Sequence, residues 1–397
     1  MRALRFARLL TDPGLRTSPL ARPAPRAPAR LERFRPARSR THAATRAMSG
    51  STVVRKVSGL QFPFQTPDPF LFAVYHNDEY PAGDDQMRAP RRGNGADFDP
   101  AAPYRMYHGE RVPGFPQHPH RGFETVTATM RGIVDHTDSL GNAGRYGHGD
   151  VQWMTAGSGI VHGEMFPLVH ADTPNHLRLF QIWLNLPSRS KMTEPAFVMH
   201  WAPDVQTARA GDGGVDVVVW AGSLFGAKGQ PPPPDSWATD PANDVGIYFL
   251  TAKPGASVSL PPAAGGAKTN RTMYFFEGDG VVVGGRVVSS KSAIELDASQ
   301  ACEIAVPSSA STETLLLVLQ GAPIGEPVAQ HGPFVMNTRA EIQRAFEDYQ
   351  KTRFGGWPWP EDAMTFPKDK GRFALVNGVE EPGPGGVAGL RGKRTEL

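Results

Sequence analysis

Two short motifs, each with metal-capable side chains two residues apart, constrain the fold of this chain more than any other feature. His118 and His120 form the first pair, and His162 and Glu164 form the second. Residues two apart in an extended strand point to the same face of a sheet. Two such pairs on facing strands would bring three imidazoles and one carboxylate to one point. Imidazole suits iron, copper, nickel or zinc, and a carboxylate makes the site harder.

The segment between the two pairs has the pattern of short β-strands. Apolar residues alternate with threonines over 123–130, and residues 133–137 and 151–155 have the composition of two further strands. Glycines that permit turns separate these stretches. Short strands joined by glycine-rich turns predict a barrel whose interior can hold one small site. We place this N-terminal barrel at residues 54–200.

A second series of strand patterns follows the proline-rich stretch 231–234. Seven stretches between residues 245 and 319 have β composition, which predicts a second antiparallel barrel at 201–330. The chain has 12 histidines, but none occurs from Trp201 to Gln330. The second barrel therefore cannot repeat the histidine site, and we expect it to bury surface and to wall one side of the molecule.

One helix is predicted after the second barrel. Thr338 and Glu341 have the spacing of a capping box, and Gly355 with Gly356 would end the helix. Four apolar residues recur at helical spacing and predict a buried stripe: Ile342, Ala345, Phe346 and Tyr349. The predicted fold class is thus all-β, with two antiparallel β-barrels and a short C-terminal helix. The helix lies in a return segment at 331–375, and residues 376–397 are expected to form a flexible tail.

Composition excludes several classes of protein. The 43 glycines and 38 prolines among 397 residues predict many turns, and the length suits two domains of ordinary size. The single cysteine, Cys302, excludes an intramolecular disulfide and any metal site built from several cysteines. Because no run of about 18 apolar residues occurs, we expect no transmembrane helix and no membrane partner.

The basic residues are concentrated in a leader, residues 1–47, which holds 12 arginines and two acidic residues. The remaining chain has 30 basic and 37 acidic side chains, which argues against direct nucleic-acid binding. An arginine-rich, acid-poor N-terminus is typical of a cleavable transit peptide, and its helical Arg/Leu start favours a mitochondrion over a plastid. The alternative is a disordered basic tail. A second start at Met48 would give a leaderless form in the cytoplasm or nucleus.

Longer strings of sequence make a family resemblance specific. HPHRGFET at 118–125, DSLGN at 138–142 and GDVQWMTAGSGIVHGEM at 149–165 resemble pirin, a bicupin of the cupin superfamily. Two later strings, IGEPVAQHGPFVMNT and FEDYQKTRFGGWPWP, also resemble pirin. The likeness runs from about residue 59 to about residue 374.

This resemblance implies two cupin-type antiparallel β-barrels with metal in the first only. In pirins the two motif pairs hold one iron, and the matching residues here are His118, His120, His162 and Glu164. One Fe2+ per chain is therefore implied, although the same donors accept Ni, Cu, Mn or Zn. Cupins usually show a glutamate after the first pair, and Glu124 stands there. In pirins, however, the carboxylate ligand comes from the later pair.

Two further polar residues are candidates for supporting the ligands or orienting a substrate. Gln181 could face the metal cavity, or it could simply form hydrogen bonds inside the barrel. Glu124 is the second candidate. The remaining histidines of this region have no paired donor of the same kind, and we assign them to the surface or to a supporting role: His108, His136, His148, His170 and His176.

Two functions share such a site, because pirin-like proteins include both flavonol dioxygenases that cleave quercetin and nuclear co-regulators whose iron reports redox state. In the first case a flavonol and dioxygen would be the substrates, and Glu164, or in second place Glu124, would accept the flavonol hydroxyl proton. In the second case iron would affect binding of a regulatory protein. A storage or structural role would leave the open coordination positions unexplained. The ligand set, the acidic body and the leader favour the dioxygenase.

Overall fold

The computed structural model describes residues 53–90, 102–105 and 112–386. The predicted leader at 1–47, His108 and the last part of the predicted tail lie outside these ranges. Within them the chain is mostly β-strand, with one α-helix near the C-terminal end.

The strands are numbered in chain order. The first eleven are β1 (Val54–Gly59), β2 (Phe64–Gln65), β3 (Phe70–Tyr80), β4 (Gly114–His120), β5 (Phe123–Arg131), β6 (Ile133–Asp138), β7 (Ala143–Gly147), β8 (Val151–Thr155), β9 (Ile160–Met165), β10 (Asn175–Asn185) and β11 (Ala196–His200). The next nine are β12 (Thr207–Ala210), β13 (Val215–Ala221), β14 (Ser223–Leu224), β15 (Ala227–Lys228), β16 (Gly246–Ala252), β17 (Ser257–Leu260), β18 (Asn270–Glu277), β19 (Val281–Val283) and β20 (Arg286–Val288). The last seven are β21 (Ser292–Leu296), β22 (Cys302–Ala305), β23 (Thr314–Gly321), β24 (Ala329–His331), β25 (Phe334–Met336), β26 (Phe373–Val376) and β27 (Val379–Pro382). The α-helix is α1 (Arg339–Thr352), and short 3-10 helices occupy Ser188–Ser190, Trp237–Thr239, Pro241–Asn243, Gly266–Lys268 and Arg353–Gly355.

Two pairs of antiparallel sheets form most of the described structure, and two small sheets, β14-β15 and β24-β25, lie outside these pairs. In the N-terminal sandwich, a sheet of order β11-β8-β5-β10-β3-β2 faces a sheet of order β27-β26-β7-β6-β9-β4. In the C-terminal sandwich, a sheet of order β1-β21-β18-β23-β16-β13-β12 faces a sheet of order β17-β22-β19-β20. The all-β class, the two units and the C-terminal helix are confirmed. Within each unit, however, the sheets face each other as an open sandwich and do not close into one hydrogen-bonded barrel.

The two sandwiches pack against each other through the outer face of one sheet from each. This apolar layer joins side chains of β5, β8 and β10 to side chains of β13, β16, β18 and β23. Aromatic rings meet across it, as where Phe180 of β10 lies 5.1 Å from Phe276 of β18, centroid to centroid. Rings of this size bury much apolar area and prefer such edge-to-face contacts. The layer therefore makes one continuous body of the two units.

Strand β5 explains why the sequence alternates as it does. Val126 and Ala128 point into the apolar layer between the sandwiches. Thr127 points the other way, into the N-terminal sandwich, where its hydroxyl contacts Glu164. Both faces are buried, but one is apolar and the other is polar. The threonines of β5 therefore point into the interior of the N-terminal sandwich and are buried there.

Strand β7 was not predicted, because its sequence contains two glycines and resembles a turn. A Cβ at Gly147 would lie 2.0 Å from the carbonyl oxygen of Gly132, so the close approach of β6 and β7 requires glycine there. Arg145 of β7 is fully buried and forms an ion pair with Asp135 of β6, with N–O distances of 2.6 and 2.8 Å. The same guanidinium donates to the carbonyls of three residues in the return segment: Phe366, Pro367 and Lys370.

Two predicted boundaries are wrong, because chain ends cross between the units. Strand β1 pairs with β21 and so belongs to the C-terminal sandwich, although we placed residue 54 at the start of the N-terminal unit. At the other end, β26 pairs with β7, and β27 pairs with β26. Residues 376–382 are therefore part of a hairpin on the N-terminal sandwich and not of a flexible tail. Local patterns predict strands but carry no signal for partners so distant in sequence.

Helix α1 begins as predicted. The Thr338 hydroxyl accepts a hydrogen bond from the Glu341 amide at 3.2 Å, and the Glu341 carboxylate accepts one from the Thr338 amide at 2.7 Å. Ile342, Ala345 and Tyr349 are its buried residues. The helix ends slightly earlier than predicted, at Arg353 in the left-handed conformation. No helix in the described ranges is long and apolar enough to cross a membrane.

Candidate metal centre

The three predicted histidines meet inside the N-terminal sandwich. Strand β4 carries His118 and His120, and β9 carries His162 directly opposite His118. The ring centroids are 4.5 to 4.9 Å apart, and one nitrogen from each ring lies within 4.8 Å of the others. The two strands are neighbours in one sheet and do not face each other across the interior as the sequence analysis supposed. The same-face rule nevertheless brings the rings together.

The environment keeps these imidazoles neutral. Removal from water lowers the pKa of His118, and a hydrogen bond to the Pro116 carbonyl opposes this effect. Burial lowers the pKa of His120 and of His162 well below the ordinary value, and the neighbouring rings lower both further. A neutral imidazole is the form that binds metal. The cluster is therefore ready to bind a cation without first releasing protons.

The unpartnered nitrogens test whether a metal fits. Nδ1 of His118 lies 2.8 Å from the Pro116 carbonyl, which leaves Nε2 as its ligand atom. Nδ1 of His120 and both nitrogens of His162 are buried and have no hydrogen-bond partner among the described residues. Burying such a group unpaired costs about 1–3 kcal/mol. A divalent cation would satisfy Nδ1 of His120 and one nitrogen of His162, so the residues present fit one.

Glu164 lies on the same face of β9 but is held by protein donors. Its Oε1 accepts from the Thr127 hydroxyl at 3.1 Å, and its Oε2 accepts from the Gln181 amide at 2.6 Å. Its carboxylate is not part of the 4.8 Å histidine cluster. To become the fourth ligand, Glu164 must exchange at least one of these hydrogen bonds for the metal. It can thus serve as a ligand or as a nearby proton acceptor.

Gln181 does face the cavity, and its role in the structure is to hold Glu164. Its own carbonyl lies 3.4 Å from the indole nitrogen of Trp183, which donates to it. The two contacts orient the amide so that its NH2 group points at the carboxylate. Trp183 also stacks on Phe123 at 4.0 Å and lies 4.2 Å from Phe72, while its ring is 5.1 Å from that of His120. An aromatic wall therefore stands beside the histidines.

Glu124 does not share this cavity, and the prediction that it supports the ligands is wrong. It is on β5 next to Phe123, whose ring lies 5.0 Å from His120, so the glutamate points to the opposite face. Its carboxylate accepts hydrogen bonds from the hydroxyls of Thr155 and Ser236, each at 2.6 Å. Burial raises the pKa of Glu124 to about 7. Glu124 thus belongs to the layer between the sandwiches.

Two further polar residues lie beside the cluster: Asp138, which was not predicted, and His136, which we assigned to the surface or to a supporting role. His136 and Asp138 of β6 are buried, and they stand directly opposite Glu164 and His162 on β9. The ring of His136 is 5.5 Å from that of His162. The signal that could have found them is the one already used, because His136 and Asp138 are also two residues apart on a strand. We judged His136 alone and so missed its partner.

Comparisons with known proteins agree with this architecture. The family model for pirin matches residues 54–184, and the model for the pirin C-terminal cupin domain matches residues 248–355. A pirin-like protein of Caulobacter vibrioides is 39% identical over 241 residues, which are 61% of this chain and 80% of that protein. Pirin-1 of Arabidopsis thaliana is 39% identical over 252 residues and is covered to 78%.

This chain is also similar to a solved crystal structure of a named enzyme. The crystal structure of quercetin 2,3-dioxygenase from Acinetobacter baumannii is 30% identical and superposes with a TM-score of 0.57. The match covers 73% of this chain and 87% of that protein, so it includes both sandwiches.

Proposed function

Because this chain belongs to the pirin family, we propose that it is an Fe2+-dependent dioxygenase that opens a flavonol such as quercetin. The observation that carries the proposal is the buried cluster of three neutral histidines with unpartnered nitrogens, next to a carboxylate that is free of any ion pair in the described structure. The similarity to the quercetin 2,3-dioxygenase of Acinetobacter baumannii supports the choice of substrate class.

His118, His120 and His162 would hold one Fe2+ per chain, with Glu164 as the fourth ligand. The donor set is also compatible with Ni, Cu, Mn or Zn, so iron is inferred from the family. When bound, such an ion supplies open coordination positions at which a chelating flavonol and dioxygen come together. The pairing of His118 with the Pro116 carbonyl fixes which ring nitrogen is offered.

The protein residues around the cluster would orient and deprotonate the substrate. Glu164 is the general base in this proposal, and it would accept the proton of the flavonol 3-hydroxyl. Gln181 and Thr127 each form a hydrogen bond with one of its oxygens; binding a metal would replace one of these bonds, and the other would keep the carboxylate oriented. The stacked rings of Trp183 and Phe123, which stand beside His120, would exclude water from the centre. Holding base and substrate together lowers the entropic part of the barrier.

The test is an assay on protein loaded with Fe2+ without oxygen and then mixed with quercetin and dioxygen. Loss of the flavonol absorbance with release of carbon monoxide, absent in His162→Ala, supports the proposal. If the iron-replete protein consumes no oxygen with any of a panel of flavonols, the dioxygenase proposal is rejected.

A second function, an iron redox sensor that acts through a protein partner, is favoured by one contact. Arg121, the residue after His120, exchanges backbone hydrogen bonds with Pro333 and Val335 of the return segment, at 3.3 and 3.0 Å. This segment leads directly into α1 on the surface. A structural change at the histidines would thus be passed through Arg121 and the return segment to α1. Partner binding that differs between Fe2+ and Fe3+ protein, without flavonol turnover, would favour the sensor.

We also propose that residues 1–47 direct import into an organelle, in the first place a mitochondrion, and are then removed. The support is the arginine-rich and acid-poor composition of this leader. N-terminal sequencing of the native protein tests it. A mature chain that begins at Met1 contradicts cleavage, and one that begins at Met48 or Ser49 indicates the leaderless form.

A further inference from the structure

Strand β9 has a polar neighbour on each side. In the sheet order β6-β9-β4, His162 lies between His118 of β4 and Asp138 of β6. The β4 side carries the rest of the histidine cluster. The β6 side carries His136 and Asp138, which have no part in the proposed ligand set. Side chains of directly opposed residues share one face of a sheet, so this second group also points into the interior.

The hydrogen bonds of Asp138 determine which ring nitrogen of His136 carries the hydrogen. One carboxylate oxygen, Oδ1, accepts from the backbone amides of Leu140 and Asn142 at 2.9 and 3.0 Å. The other, Oδ2, lies 3.4 Å from Nε2 of His136. A carboxylate accepts only, so Nε2 of His136 must carry the hydrogen, and its Nδ1 then has a free lone pair. This Nδ1 is buried and has no partner among the described residues.

His162 lacks a hydrogen-bond acceptor for the ring nitrogen that would not bind the metal. A ring that binds metal through one nitrogen carries a hydrogen on the other, and that N–H almost always donates to an acceptor. For His118 the acceptor is the Pro116 carbonyl, but neither nitrogen of His162 has a partner in the described structure. The His136 and His162 centroids are 5.5 Å apart. His162 makes no hydrogen bond that fixes its ring, so a rotation of this ring can bring the two nitrogens to a hydrogen-bonding distance of roughly 3 Å while His136 keeps its contact with Asp138.

We propose that His136, held by Asp138, is a positioning residue for the metal centre, with its Nδ1 accepting a hydrogen bond from the His162 nitrogen that does not bind the ion. The inference rests on the metal centre proposed above. The chain Asp138–His136–His162 would fix the tautomer of His162 and make its ligand nitrogen a stronger donor. Phe197 packs on the His136 ring at 5.2 Å and so limits the ring to this orientation.

The first experiment measures the affinity of the full chain for Fe2+ alone, titrated without oxygen against a competing chelator. In His136→Phe the affinity should fall 10- to 100-fold, the usual loss for removal of such an acceptor. His136→Asn should recover most of it, because its amide oxygen can stand where Nδ1 stands. Asp138→Asn keeps one oxygen for the turn amides and should give an intermediate loss.

The control is His200→Phe, because His200 is a buried histidine of the same sandwich that contacts the Pro231 carbonyl at 3.0 Å and not the cluster. This variant should bind Fe2+ as the wild type does. A second readout is the 15N shift of the ring nitrogens in Zn2+-loaded protein, which should show His136 protonated at Nε2 and accepting at Nδ1. If His136→Phe fails to fold, Asp138→Asn and the 15N shifts decide the question.

Wild-type affinity in both His136→Phe and Asp138→Asn would overturn the inference, as would a His136 ring protonated at Nδ1. An equal loss in His200→Phe would also overturn it, since the effect would then come from general disruption. If the wild type binds metal but turns over no flavonol, the dioxygenase proposal fails and the positioning role can still hold. If the wild type binds no metal, both fail.

Discussion

The interiors of the two sandwiches differ far more than their architectures. Between the sheets of the C-terminal sandwich lie mainly aliphatic and aromatic side chains, among them Leu250, Met273 and Leu316. Between those of the N-terminal sandwich, histidines, threonines, glutamines and two carboxylates lie beside an apolar cluster that includes Val134 and Leu179. One interior is an apolar core, and the other is partly apolar and partly polar. The same arrangement of sheets can therefore serve for stability in one copy and for chemistry in the other.

The difference also explains why the units are joined by such a large apolar layer. A polar interior contributes little to the free energy of folding, because each buried polar group must replace hydrogen bonds that it had with water. The N-terminal sandwich compensates with its outer face, where Val126, Phe180 and Ile182 pack on the neighbouring unit. We infer that the C-terminal sandwich is the scaffold on which the cavity is supported.

The largest effect is expected where the comparison is most direct, at the histidine cluster. His162→Ala should lower the metal content from about one ion per chain to nearly none, because only two of the three imidazole donors remain. Elemental analysis of protein loaded with Fe2+ measures this. The control His331→Ala changes a histidine outside the cavity and should keep its metal. Equal metal in wild type and His162→Ala would remove the functional contrast between the two interiors.

A core substitution in the C-terminal sandwich should lower the stability and leave the metal content unchanged. Leu316→Ala removes a fully buried side chain and should lower the free energy of unfolding by about 2–5 kcal/mol. Metal content at 25 °C should stay that of the wild type. Urea unfolding and elemental analysis on the same samples test this. A variant that keeps its stability but loses metal would contradict the division between scaffold and site.

The layer between the sandwiches gives a pH-dependent test. Burial raises the pKa of Glu124 to about 7, so the folded state holds this proton more tightly than the unfolded state does. Its contribution to stability is therefore complete below the ordinary carboxyl pKa and is lost as the pH rises towards 7. The loss is up to roughly 3 kcal/mol.

Unfolding free energies measured between pH 4.5 and 7.5 should show this slope in the wild type and a reduced slope in Glu124→Gln. The exposed Glu303→Gln serves as the control and should keep the wild-type slope. Parallel profiles for wild type and Glu124→Gln would contradict the assignment of Glu124 to a buried layer with a tightly held proton.

The smallest effect concerns the cavity lining. The hydroxyl of Thr129 is buried and has no hydrogen-bond partner in the described part of the chain, so Thr129→Val should raise the free energy of unfolding by about 1 kcal/mol. Thr127→Val, in contrast, removes a donor to Glu164 and should not stabilise the fold. Urea unfolding of the metal-free proteins compares the two. Similar changes of the unfolding free energy in both variants would mean that the contact of Thr127 with Glu164 does not matter for stability.

The sequence was informative wherever one local rule was sufficient. His118, His120 and His162 meet because side chains two apart share a face, and the Thr338–Glu341 capping box needs only four residues. The prediction for Glu124 was wrong because a turn at Gly122 separates it from His120. The alternation of faces in β4 therefore does not continue into β5. The position of the Glu164 carboxylate could not be predicted either, since it depends on a hydrogen bond from Gln181 on another strand.

The crossing of the chain ends has a consequence for how the protein is made. Strand β1, near the start, completes a sheet of the C-terminal sandwich, and the hairpin of β26 and β27, near the end, extends a sheet of the N-terminal one. During synthesis the N-terminal unit cannot finish its sheet until β26 and β27 have left the ribosome, whereas the C-terminal unit finds β1 already made. A gene cut between the halves would leave each product with an unpaired sheet edge, which favours aggregation. Each half of the chain therefore depends on a strand from the other half to complete a sheet.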